Sequence, residues 1–159
     1  MTITLATAVG LTALLALGQS QPPAPDACAL LPTADAVAII GGAAKPPRVG
    51  AFAANTCAIQ ADANPGVAYI NITLDTAATL KAQGMPDAKQ NYDGLKGGID
   101  DAEALAGVGD AAFFSRKNNG LYVLKGGKLA SVLIAPALMQ REQSAAALKK
   151  LAAAIAARM

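Results

Sequence analysis

The sequence predicts an α+β domain: a single twisted antiparallel sheet of about five strands, packed with three helical segments and tied by one disulfide. The predicted order is helix, two strands, broken helix, three strands, helix. Three observations carry this reading. Ala111 to Ala135 (AAFFSRKNNGLYVLKGGKLASVLIA) divides into three short apolar runs at Asn118-Asn119-Gly120 and Gly126-Gly127, residue types that tolerate the positive φ of tight hairpins. Val67 to Leu74 alternates Val67, Tyr69, Asn71 and Thr73 with Ala68, Ile70, Ile72 and Leu74, which gives a half-buried strand. Gln140 to Arg158 is an Ala-rich helix with Leu148, Leu151 and Ile155 on one stripe and Lys149 and Lys150 facing water.

The chain has 159 residues. Ile3 to Gly18 is apolar and uncharged, and shorter than the roughly 20 residues that span a bilayer. Small residues at Gly18 and Ser20 suit a cleavage point, so residues 1–20 are expected to be a secretory signal peptide. The mature chain is then periplasmic or secreted, and membrane association is expected only if that segment is retained. Residues 21–27 (QPPAPDA) form a stiff, Pro-rich spacer, and residues 28–159 one domain. Cys28 and Cys57 are the two cysteines, and an even count in an exported chain reads as a disulfide. On the chain-entropy picture, closing that loop contributes on the order of 3–4 kcal/mol. The alternative is a reactive or metal-binding pair. It finds no neighbour that would lower a thiol pKa or complete a metal shell.

The first helix is expected in LLPTADAVAIIGG, capped by Thr33, stopped by Gly41-Gly42, and turning Leu31, Val37 and Ile40 inward. Ala43 to Asn55 reads as a loop with a few extended residues near Arg48. Thr56 to Ala61 and Val67 to Leu74 form a hairpin about the turn DANPG. Asp75 to Gly94 reads as helix, interrupted at Gly84-Met85-Pro86; Asp75 or Thr76 caps the first part, and Pro86 and Asp87 open the second. Lys96 to Gly109 is loop-like. In the three-strand block, a Gly126-Gly127 turn pairs Lys125 with Lys128, Val123 with Ala130 and Leu121 with Val132. For the preceding hairpin, a turn on Asn118-Asn119 is preferred over Asn119-Gly120. It sets Phe114 opposite Val123 and Phe113 opposite Leu124, apolar on apolar. The last helix is expected on the face carrying Val123, Ala130 and Val132. The opposite face, with Tyr122, Leu124, Leu129 and Leu133, is left to the broken helix or to a partner.

Composition excludes several chemistries. The chain has no histidine, which removes His-based triads, general bases and metal ligands. A net charge of +2 is too small to suggest nucleic acid. Gly107-Val108-Gly109 lacks the third glycine and the following helix of a dinucleotide fingerprint. Asp100, Asp101, Glu103 and Asp110 form an acidic cluster in a Gly-rich loop; solvated loop acids are commoner than calcium sites, and Asp110 is expected to hold a turn before the strand that follows it. Arg116, Lys117, Lys125 and Lys128 form a basic cluster on the meander. It reads as a guard of strand edges, or else as a contact for an anionic envelope component. No catalytic, cofactor or metal residues are expected.

Several stretches together carry a resemblance: DACALLPTADAVAIIGG, Cys57 opening a strand, GVGDAAFF, the Gly-turned hairpin and the closing Ala-rich helix. The chain resembles a family of small exported domains of unknown function found in actinobacterial lipoproteins, similar in outline to the PsbP-like α+β fold. The resemblance covers Cys28 to Met159 and implies the sheet and the disulfide. It implies no substrate and no catalytic residue. This chain departs from the family in lacking the lipobox cysteine. The function expected is therefore an exported, non-enzymatic domain that binds a protein or another envelope component through its sheet face. A structural or accessory envelope module without ligand is the alternative, and a carboxylate-based enzyme ranks behind both.

Overall fold

The computed structural model describes residues 26–136 and 145–159. The expected signal peptide, most of the spacer and the start of the last helix lie outside them. The spacer's final residues belong to the fold. The Asp26 carboxylate accepts from the Cys28 N–H and caps a 3-10 turn over Ala27–Leu30, in which Ala27 is buried.

Seven strands form one antiparallel sheet: β1 (Arg48–Val49), β2 (Thr56–Gln60), β3 (Tyr69–Asp75), β4 (Glu103–Ala104), β5 (Ala111–Ser115), β6 (Gly120–Lys125) and β7 (Lys128–Ile134). Their order is β1-β2-β3-β7-β6-β5-β4. The five longer strands are those expected. The additional two, β1 and β4, are two-residue edges, too short to show any alternation in sequence, and short edges limit pairing with other chains. Four α-helices are described: α1 (Thr33–Ile40), α2 (Ala77–Ala82), α3 (Ala88–Gly98) and α4 (Ala145–Ala156).

The helix ends follow local chemistry. Pro32, not Thr33, occupies the N-cap of α1, and Pro32 supplies no side-chain cap. Gly41 stops the helix in the left-handed conformation, as expected. Of the residues expected inward on α1, Ile40 is buried while Val37 is half-buried. The broken helix is two helices. Thr76 and Thr79 form a capping box at the start of α2. Its end is a Schellman turn: Gly84, at φ +65°, donates to the Lys81 carbonyl while Met85 donates to that of Leu80. The Asp87 side chain then accepts from the Gln90 N–H to start α3, which runs on through Gly97 and Gly98 rather than ending at Gly94.

The β6–β7 register is the expected one, Lys125 opposite Lys128 and Val123 opposite Ala130. The β5–β6 register is not. Ser115 faces Gly120 and Phe113 faces Tyr122, so Arg116 to Asn119 form a four-residue loop. The cause lies outside the hairpin. Asp101 accepts from the Ser115 hydroxyl at 2.5 Å and from the N–H groups of Arg116 and Lys117 at 3.0 and 2.9 Å, and Asn118 donates to Ser115 Oγ. The displacement is two residues along the partner strand, which leaves every side chain on its expected face.

One face carries an aliphatic core. Cys57, Ile59, Ile70, Ile72, Val132, Val123 and Phe114 pack with Leu30 and Leu31, with α1, and with Leu148, Leu151, Ala152 and Ile155 of α4. Ala130, Ala152 and Ala156 are small enough to let α4 approach closely. Lys125 Nζ donates to the Ala156 carbonyl at 2.6 Å and Lys128 Nζ to that of Met159 at 2.7 Å. The Lys125 bond satisfies a carbonyl that the helix end leaves without a partner and places positive charge at the negative end of its dipole, while Lys128 holds the segment beyond it. The Cys28–Cys57 disulfide, Cα–Cα 5.1 Å, joins the 3-10 turn to β2 on the same side.

The other face carries a smaller, aromatic core. Phe113, Tyr122, Leu124 and Leu129 lie under Leu80, Ala88 and Tyr92 of α2 and α3. Phe113 stacks on Tyr122, with ring centroids 4.5 Å apart, and takes Tyr92 edge-on at 5.2 Å.

Candidate functional site

α2 and α3 roof only part of the aromatic face. Cross-strand pairing shows what they leave open. One row runs Ala58–Asn71–Leu133–Gly120, and the next runs Thr56–Thr73–Ser131–Tyr122–Phe113. Phe113 and Tyr122 end the second row beneath the helices. Leu133, on the central strand, is 46% exposed, and Tyr69, Asn71, Thr73 and Ser131 around it are half-buried. The result is an open, mostly uncharged patch of hydroxyl, amide and apolar groups.

Where the roof meets the patch, a groove of about 390 Å³ runs between α3 and the β5–β6 turn. Gln90, Asn91, Asn118 and Tyr122 bring polar atoms to it, and Leu95 and Ile99 bring apolar surface. Tyr122 reaches the groove because Gly120 lies beneath its ring. A Cβ at Gly120 would stand 2.6 Å from the Tyr122 hydroxyl and 2.7 Å from Cε2. Gly94 and Gly98 face open space on the helix side, with nothing within 4 Å of a Cβ built on either. A second cleft, about 370 Å³, lies between the end of α1 and the β2–β3 turn, bordered by Ile40, Asp62, Asn64 and Val67.

Most side chains expected at the partner surface are placed elsewhere. Tyr122 and Leu124 are 7% exposed and Leu129 is fully buried, so these three form the floor of the α2–α3 core and do not present a patch. Leu133 alone of the four is exposed. The basic residues separate as well. Arg116 and Lys117 sit exposed at one end of β6, with the Arg116 guanidinium 5.2 Å over the Phe114 ring. Lys125 and Lys128 sit at the other end, roughly 17 Å away at about 3.4 Å per residue; Lys125 is bonded to the end of α4 and Lys128 to Met159 beyond it. The expected basic cluster is therefore two pairs with different surroundings.

The acidic residues act within the fold. Asp101 holds the β5–β6 loop, and hydrogen bonds from Ser115 and the Lys117 and Arg116 amides keep its carboxyl below the usual range. Asp110 accepts from the Gly126 N–H at 2.7 Å, so its carboxylate holds the distant β6–β7 turn and not the turn before its own strand. Asp75 is pushed up by burial, partly offset by a 2.8 Å bond from the Asn55 amide. Among the described residues no three His, Cys, Asp or Glu side chains gather as a metal shell. Burial raises the phenols of Tyr92 and Tyr122, and the Tyr92 hydroxyl is buried without a hydrogen-bond partner among the described residues.

Reasoning from sequence missed Asn71, Thr73 and Ser131 as surface groups of a shared patch, and Gln90, Asn91 and Gly94 as groove residues. The alternation of β3 placed its polar residues on one face, but nothing local says which part of that face α2 and α3 cover. No protein-family model matches the chain, and no curated protein or solved structure matches it either.

Proposed function

We propose that this is an exported, non-enzymatic binding domain that engages an envelope component through the open part of its sheet face. The observation that carries the reading is the exposed Leu133 on the central strand, set among half-buried Tyr69, Asn71, Thr73 and Ser131. Single exposed apolar side chains are ordinary, and Phe52 and Val67 are more exposed; Leu133 differs in its place on the central strand, ringed by half-buried neighbours of one sheet face. Export is supported by the Cys28–Cys57 disulfide, which suits an oxidising compartment, and by the expected signal peptide. Among the described residues no helix is long and apolar enough to cross a membrane. The non-enzymatic reading is supported by the structural employment of Asp75, Asp101 and Asp110. The likeness to small exported domains of actinobacterial lipoproteins belongs to the same proposal.

A photo-crosslinking residue at position 133 tests it in the native envelope fraction. Capture there, and none from the exposed position 89 on α3, is the expected result. Equal capture at both positions, or none at 133, would leave the accessory-module reading in its place. Leu133→Asp should abolish capture while leaving stability within about 0.5 kcal/mol, as for ordinary surface substitutions.

A further inference from the structure

We infer that the groove between α3 and the β5–β6 turn is a binding site for a neutral saccharide. The inference rests on the aromatic side of the sheet being the binding side, and it names a ligand class for it. Four neutral polar residues, Gln90, Asn91, Asn118 and Tyr122, line the groove, and no charged residue is among its described lining. A carboxylate, a phosphate or a cation would find no counter-charge there. Carboxamides and a phenol each donate and accept. Sugar hydroxyls do the same, so each can be met twice by such groups. The apolar surface of Leu95 and Ile99 suits the C–H faces of a sugar ring. The groove, about 390 Å³, is broad and open, a shape that admits part of an extended oligosaccharide rather than enclosing a small molecule.

Gly94 and Gly98 keep the helix side of the groove open: both line it, and a Cβ at either would meet nothing within 4 Å.

The test is an amide-resolved NMR titration of the purified protein with neutral pentasaccharides of glucose, mannose and galactose. Each is taken to about 10 mM, tenfold above a millimolar Kd. At least one should shift the amides of Gln90, Asn91, Gly94 and Asn118 in a saturable way. Gly94→Leu should keep the fold, because its side chain enters open space, and should weaken that binding at least tenfold; Asn118→Ala should do likewise. No saturable shift in the groove with any of the three sugars overturns the inference. So does tighter binding of an acidic oligogalacturonide, or unchanged affinity in folded Gly94→Leu. Crosslinking at position 133 that persists when no sugar titrates would remove the saccharide assignment alone and leave the broader binding reading standing.

Discussion

The two faces of the sheet are built differently. The aliphatic face is roofed by α1, α4 and the 3-10 turn, and the disulfide ties that roof to β2. Among the described residues the aromatic face is roofed by α2, α3 and the turn that follows α3, and it holds three of the chain's six aromatic rings in one contiguous stack. Leucine and isoleucine can fill a broad interface by interdigitation. A few rings instead concentrate burial in a small area, each pair adding about 0.5–1.5 kcal/mol beyond the area it buries. The difference teaches how one sheet can be anchored on one side and available on the other. The stack fixes α2 and α3 with few residues, and no described residue covers Leu133 and its neighbours.

The largest effect should come from the centre of the stack. Phe113→Ala should cost about 3–5 kcal/mol, since it empties a fully buried site between two other rings. Urea unfolding measures it. A loss below about 1 kcal/mol would mean that the aliphatic face alone holds the fold. Removing the disulfide by Cys28→Ala and Cys57→Ala should cost about 3–4 kcal/mol. Amide exchange should then speed up in the 3-10 turn and α1 before α3, and simultaneous opening of both faces would contradict the division drawn here. Lys125→Met deletes a charged bond to the end of α4 and should cost about 1 kcal/mol. The loss should appear as fraying of α4 with the Tyr122 signals unchanged.

The smallest effect is one of pH. The Asp101 carboxyl is held below its ordinary value, chiefly by Ser115. The unfolded chain therefore takes up that proton first as pH falls, near pH 4. The stabilisation is complete above that pH and is lost as pH drops through the folded value. Asp75, raised by burial, acts in the opposite sense. Asp101→Asn should lower the urea midpoint at pH 7 and shrink its further fall towards pH 3. An unchanged acid limb would exclude Asp101 as its source.

Much of this was legible in the sequence. The five longer strands announce themselves through alternation and turn glycines, and the seat of α4 follows from its stripe meeting Val123, Ala130 and Val132. The Cys28–Cys57 pairing is forced by a count of two. What stayed hidden depends on groups distant in the chain. Asp101 sets the β5–β6 register from another strand's approach. Lys125 and Lys128 look like free surface charges until the end of α4 comes to rest beside them. Tyr122 and Leu124 look like an open patch until a six-residue and an eleven-residue helix are laid over them. The candidate site was least legible of all, because it is defined by where that roof stops.

β7 is the last strand in the chain and the middle strand of the sheet, paired with β3 on one side and β6 on the other. Until residues 128–134 are synthesised, β1 to β3 and β4 to β6 are two ribbons with no edge in common, each presenting an unfinished flank. Closing the sheet joins segments far apart in the chain, the kind of topology that folds slowly. A partly made chain therefore has no competing complete sheet to settle into. Through most of its synthesis such a polypeptide can pair only within each ribbon, and its sheet closes last.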